Sequence, residues 1–116
     1  MMDKKVQLEQ ALIDLDDTNK KLLELASQTN LFTENTAAYA RCFLKHKRNA
    51  EGLKNPSDEL AKQMTYADPE YKPFMEDANA LKYQLDIYFK LSDNLRTKIS
   101  ALKGSVAEEK NFNNAF

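Results

Sequence analysis

Chain breakers are scarce: three prolines and two glycines punctuate 116 residues. With so little to interrupt them, long helices are the economical reading. Cysteine is limited to Cys42, which excludes an intramolecular disulfide. Histidine is limited to His46, and the Glu-x-x-His pairs of a bundle di-iron centre are absent, so neither a metal nor a cofactor is expected. There is no glycine-rich phosphate loop, zinc-ligand spacing or nucleophile elbow. No stretch approaches the ~20 apolar residues of a membrane span, and no apolar segment follows the basic pair Lys4 and Lys5, so the expected location is cytoplasmic. A net charge of −1 gives no global attraction to nucleic acid or to an anionic membrane, and any such binding must be local.

What is present is the 42% apolar and 30% charged content of a helical chain of one domain. Phe74, Ala78, Leu81, Leu85, Tyr88, Leu95, Ile99 and Leu102 step by four and three, with Ser92 as the polar member of the series. That spacing places them on one narrow stripe of a helix, the seam that a coiled-coil partner covers. A weaker stripe runs through Leu8, Leu12, Leu15, Leu22, Ala26, Tyr39 and Phe43, with Asn19, Thr29 and Thr36 between them. The expected fold is therefore all-α, an antiparallel hairpin of two long, coiled-coil-like helices with a short helix in the connection. Such a hairpin buries one stripe per helix, so oligomerisation into a bundle, or a protein partner, is expected to cover the remaining apolar faces.

Helix formers dominate from Asp3 to Glu51, and Gly52 followed by Leu53 fits a C-terminal cap. Helix one would span roughly 45 residues, or roughly 70 Å, with a bend where the polar residues Ser27 to Asn30 follow one another. Asn55-Pro56-Ser57-Asp58 supplies a capping side chain, a proline for the first helical position and a carboxylate, which predicts a short helix from Pro56 to Tyr66. Asp68-Pro69-Glu70 repeats that chemistry, and Pro73 predicts a kink at the start of the last helix. From Phe74 the pattern holds to Lys103, and Gly104 supplies the stop. The hairpin domain is thus expected over 1–104, followed by a flexible tail over 105–116, whose Phe112 and Phe116 would either fray or dock into a partner.

Charge supports the hairpin independently. Residues 1–35 carry a net of −3, residues 36–54 a net of +4, residues 55–80 a net of −4 and residues 81–104 a net of +3. Folding the chain back near residue 60 pairs every block with its opposite, which controls orientation more than stability.

Arg41, Lys45 and Arg48 lie at helical spacing in a segment with no acid between Glu34 and Glu51. They are candidate contacts for phosphates or an acidic partner. The competing reading pairs them with Glu70, Glu76 and Asp77 across the hairpin. Lys90, Arg96, Lys98 and Lys103 face the same choice against the acidic first helix. Tyr66, Tyr71, Tyr83, Tyr88 and Phe89 offer stacking surfaces to unpaired bases, although packing is the commoner use of aromatics at helical spacing. Asp16 with Asp17, and Glu76 with Asp77, point to different sides of a helix and do not converge. Basic neighbours lower the pKa of a thiol, but His46 alone completes no catalytic arrangement around Cys42, which reads as structural. No catalytic residue is assigned, and an enzyme is not expected.

The order Lys54-Asn55-Pro56-Ser57-Asp58, Pro69-Glu70-Tyr71-Lys72, Ala80-Leu81-Lys82-Tyr83 and Lys98-Ile99-Ser100-Ala101-Leu102-Lys103 resembles small helical proteins encoded by tailed bacteriophages. The resemblance covers residues 44–103 and implies two long helices joined by a Lys-x-Asn-Pro-Ser/Thr-Asp linker. It further implies a gene among phage replication and recombination functions, and so the cytoplasm of a bacterial host. The expected function is a non-enzymatic interaction or adaptor protein that associates with itself or with another protein. The alternatives are a single-stranded nucleic-acid-binding protein using the basic helix faces and a small inhibitor of a host protein.

Overall fold

The computed structural model describes residues 3–48 and 56–115, with side chains described as far as Glu109. The expected cap at Gly52 and Leu53, Asn55, the side chain of Phe112 and the whole of Phe116 lie outside the described residues. Every regular element among the described residues is an α-helix: α1 (Lys4–Ala26), α2 (Asn30–Lys47), α3 (Asp58–Ala67) and α4 (Lys72–Ala115).

The first long helix of the sequence reading is two helices. α1 starts at Lys4, just after Asp3, whose carboxylate accepts from the Lys5 N–H at 3.3 Å and so caps the first turn. It ends at Ala26, and three-residue turns follow, in which the carbonyls of Gln28 and Thr29 accept from the Leu31 and Phe32 N–H groups at 3.0 and 3.1 Å. Ser, Thr and Asn are weak helix formers because their side chains compete for backbone groups. The run from Ser27 to Asn30 therefore interrupts the helix where a bend was expected.

α3 starts two residues later than predicted. Ser57 caps it, with extended dihedrals and an Oγ that accepts from the Leu60 N–H at 3.1 Å. Pro56 therefore precedes the cap, and Asp58 and Glu59 occupy the first turn, where the helix dipole favours acids. Asp68 ends α3 and prepares α4: its Oδ1 accepts from the Glu70 N–H at 2.9 Å, and its carbonyl accepts from the Tyr71 and Lys72 N–H groups, both at 3.0 Å. α4 begins at Lys72, so Pro73 falls in its first turn, where a missing N–H costs no intrahelical bond. Gly104 is not a stop, because α4 continues through it to Ala115. A glycine lacks helix propensity but is compatible with helical dihedrals, and here it lies in the helix interior.

The chain forms two compact units, one from α1 and α4 from Gln84 onward, the other from α2, α3 and α4 up to Tyr83. In the first, Ala11, Ile99 and Leu102 form a buried cluster flanked by half-buried Leu8 and Leu15, and the Lys4 ammonium lies 3.7 Å from the Glu109 carboxylate. In the second, Ala38, Cys42 and Tyr71 are buried together against Tyr39, Phe74 and Met75. Ala61 and Thr65 are fully buried on α3, and the Thr65 hydroxyl is satisfied by the Ala61 carbonyl at 2.7 Å.

The α4 seam residues are covered: Leu81, Leu95, Ile99 and Leu102 are buried, and Phe74, Leu85 and Tyr88 are half-buried. On the earlier stripe Leu8, Leu15, Leu22, Tyr39 and Phe43 are half-buried, whereas Leu12 is 43% exposed. The buried positions of α1 are Ala11, Thr18 and Leu25, each one residue before the expected Leu12, Asn19 and Ala26. One residue is a rotation of about 100° on a helix. Ala11, at 1% exposure, admits a close approach that Leu12 would block, and Thr18 satisfies its own hydroxyl on the Asp14 carbonyl at 2.7 Å.

Candidate interaction site on α2

The basic segment of α2 divides its side chains between two faces. Cys42 and His46, four residues apart, are buried, while Arg41, Leu44 and Arg48 are exposed and Lys45 sits between the two faces. Lys45, His46 and Lys47 fill the last turn, where cations complement the carbonyl end of the helix dipole.

Beneath that turn lies Asp68, whose side chain is 4% exposed. Its Oδ2 is 2.6 Å from Lys45 Nζ and 2.9 Å from His46 Nε2. An ionised carboxylate only accepts, so the His46 ring nitrogen facing it is the protonated one. Lys45 also reaches Glu70 Oε2 at 3.4 Å. The Lys45 ammonium, together with the Glu70 N–H, holds the Asp68 carboxyl at a pKa of about 2, against the opposing effect of burial. The same hydrogen bond to Asp68 raises the Lys45 pKa. Lys47 donates to the Pro56 carbonyl at 2.7 Å and lies 3.0 Å from Asp58 Oδ1. Two of the basic residues of α2 are thus bound to α3 and its flanking turns. Glu70 is one of the acids expected opposite them, but Asp68 and Asp58 are the others, in place of Glu76 and Asp77.

Cys42, Asp68 and Glu70 bring one sulfur and two carboxylates within 4.8 Å of one another. That donor set does not suit a metal, because the Lys45 ammonium is hydrogen-bonded to both carboxylates and holds the cation's place. Burial, and then the Asp68 charge, push the Cys42 thiol up and away from the thiolate that binds metals or attacks substrates. The basic neighbours Lys45 and Arg41 act in the opposite direction and do not prevail.

Four aromatics of this unit, Tyr39, Phe43, Tyr66 and Tyr71, pack against one another. Tyr39 stacks with Phe43 at 5.9 Å between centroids, meets Tyr71 edge-on at 5.6 Å and tilts against Tyr66 at 5.8 Å. Burial raises the pKa of Tyr71. Tyr83 and Phe89 are exposed, and Tyr88 is half-buried. Arg41 places its guanidinium carbon 5.9 Å from the Phe74 ring centroid.

On the outer face, Arg41, Leu44, Lys45 and Arg48 line an open depression of about 420 Å³. The structure brings together the three α2 cations of the sequence reading, with Leu44 among them. Lys90, Arg96 and Lys98 are exposed on α4 in the other unit, in which Lys4 of α1 lies 3.7 Å from Glu109 of α4. The sequence reading missed Asp68 because its Asp-Pro-Glu setting accounted for it as a helix-start residue. The surplus of cations on α2 was the only signal that it had a second task. No helix among the described residues is long and apolar enough to cross a membrane. No protein-family model, curated protein sequence or solved structure matches this chain.

Proposed function

We propose that this chain is a non-enzymatic helical interaction protein, an antiparallel hairpin that associates with itself or with another protein as an accessory factor. The observation that carries the reading is the apolar surface left over after the units have packed. In the unit of α1 and α4, Ile87 and Leu91 lie four residues apart on α4, and both are exposed large apolar side chains. The antiparallel arrangement is supported by the contacts of α1 with α4, in which Lys4 meets Glu109 while Ala11 meets Ile99 and Leu102. The phage resemblance adds a setting, DNA replication or recombination, for the accessory role. Light scattering on the purified protein tests the self-association: a concentration-dependent mass above 13.3 kDa is expected. A monomer at every concentration, together with no protein partner recovered from the native host, removes the proposal.

Direct binding of single-stranded nucleic acid is the second reading, favoured by the cation-lined depression on α2. It ranks below the first because Asp68 and Glu70 neutralise Lys45. Fluorescence anisotropy with a labelled oligonucleotide at low salt, repeated on Arg41→Glu/Arg48→Glu, decides it.

A further inference from the structure

On α2, Leu44 is 50% exposed, with Arg41 three residues before it and Arg48 four residues after it, both exposed. On α1, Ile13 is 55% exposed, with Asp16 three residues after it and Glu9 four residues before it, both exposed. The two faces carry the same spacing with the direction reversed and the charge inverted.

We infer that the Arg41-Leu44-Arg48 face of one copy docks antiparallel on the Glu9-Ile13-Asp16 face of a second copy, in the self-association proposed above, on which this inference rests. Antiparallel packing sets Leu44 against Ile13, Arg41 opposite Asp16 and Arg48 opposite Glu9. The depression lined by Arg41, Leu44, Lys45 and Arg48 receives the Ile13 side chain. Residues three and four apart lie on one helix face, so a single helix crossing engages all three pairs. Every copy carries both faces, so a twofold dimer makes the contact twice, and a rotation that does not close makes a chain of copies.

Two existing contacts bear on the cost. Asp16 lies 2.9 Å from Lys20 on its own helix, an exposed pair that competes weakly. Arg41 already rests over Phe74, which orients the guanidinium before the partner arrives. Apolar contact at the centre and charge at the rim is the arrangement that selects register and orientation at protein interfaces.

The test uses two charge-reversed full-length chains, Arg41→Glu/Arg48→Glu and Glu9→Lys/Asp16→Lys. The first carries two acidic faces and the second two basic faces, so each alone repels itself. Size-exclusion chromatography with light scattering is expected to show each variant dissociating about tenfold or more readily than the unaltered protein. An equimolar mixture, in which each face meets its opposite, regains the unaltered mass. All four positions are exposed, so helicity by circular dichroism stays unchanged, and recovery in the mixture certifies folding independently. If the unaltered protein self-associates and both variants do so equally well, the docking face is wrong while the interaction-module reading stands. If combining all four changes in one chain restores the mass but mixing does not, the contact is intramolecular and the inference falls. An unaltered protein that is monomeric throughout overturns the docking inference together with the self-association it rests on.

Discussion

The two units solve the same problem, holding helix stripes together, with different chemistry. Around Ala11, Ile99 and Leu102 the cluster is small and aliphatic, and the ion pair beside it, Lys4 with Glu109, is exposed. Around Cys42 and Tyr71 the packing is aromatic, and a buried carboxylate, Asp68, accepts from Lys45, His46 and the Glu70 backbone. Apolar attraction has no direction, so register in the first unit rests on shape, on which side chain permits close approach. Hydrogen bonds and ring contacts do have direction, so in the second unit one acceptor fixes where the end of α2 meets the end of α3. The shape-held unit should therefore be sensitive to volume and the hydrogen-bonded unit to pH.

Ile99→Ala should break the contrast most visibly: emptying a buried position costs about 2–5 kcal/mol by chemical denaturation. A loss below about 1 kcal/mol would show that the cluster collapses around the gap. Enlarging instead of emptying tests the register. Ala11→Leu should destabilise by about 1–3 kcal/mol, while Leu12→Ala next to it, on a 43% exposed residue, should cost clearly less. The reverse ranking would restore the Leu12 stripe.

In the second unit, Asp68→Ala should cost about 1–3 kcal/mol, because the Lys45 ammonium, the His46 ring and the Glu70 N–H lose their acceptor. Its pH dependence has a definite sign. The folded-state pKa of about 2 lies below the ordinary 3.8, so the stabilisation is present in full above pH 3.8 and is lost as pH falls toward 2. Thermal melts of Asp68→Ala should therefore lack part of the acid destabilisation seen in the unaltered protein over that window. The smallest effect should come from Gly104→Ala. An added Cβ there meets nothing within 4 Å, so a gain of about 0.5–1 kcal/mol is expected from helix propensity. A loss would mean that the helix through Gly104 is not the stable state.

Much of this molecule is visible in its residues before any packing is considered. The steps of four and three from Phe74 to Leu102 set out a helix and its buried side. The polar run at Ser27 to Asn30 marks a weak point, and the alternating charge blocks place acids near Lys45 and Lys47. Each of these follows from local spacing or from the sign of charge, both properties of the chain itself.

What the packing alone decided is finer than those signals can resolve. Periodicity locates a stripe to within one residue, and Ala11 rather than Leu12 is selected by how closely the opposing side chains can approach. Charge blocks give a sign but no address, so Asp68 emerged over Glu76 and Asp77 because it caps α3 directly under the last turn of α2. Helix continuity through Gly104 belongs to the same class: glycine permits a stop without requiring one, and the backbone on either side of it remains helical. Short-range preferences along the chain fix the elements, and three-dimensional fit fixes which of two adjacent residues faces inward.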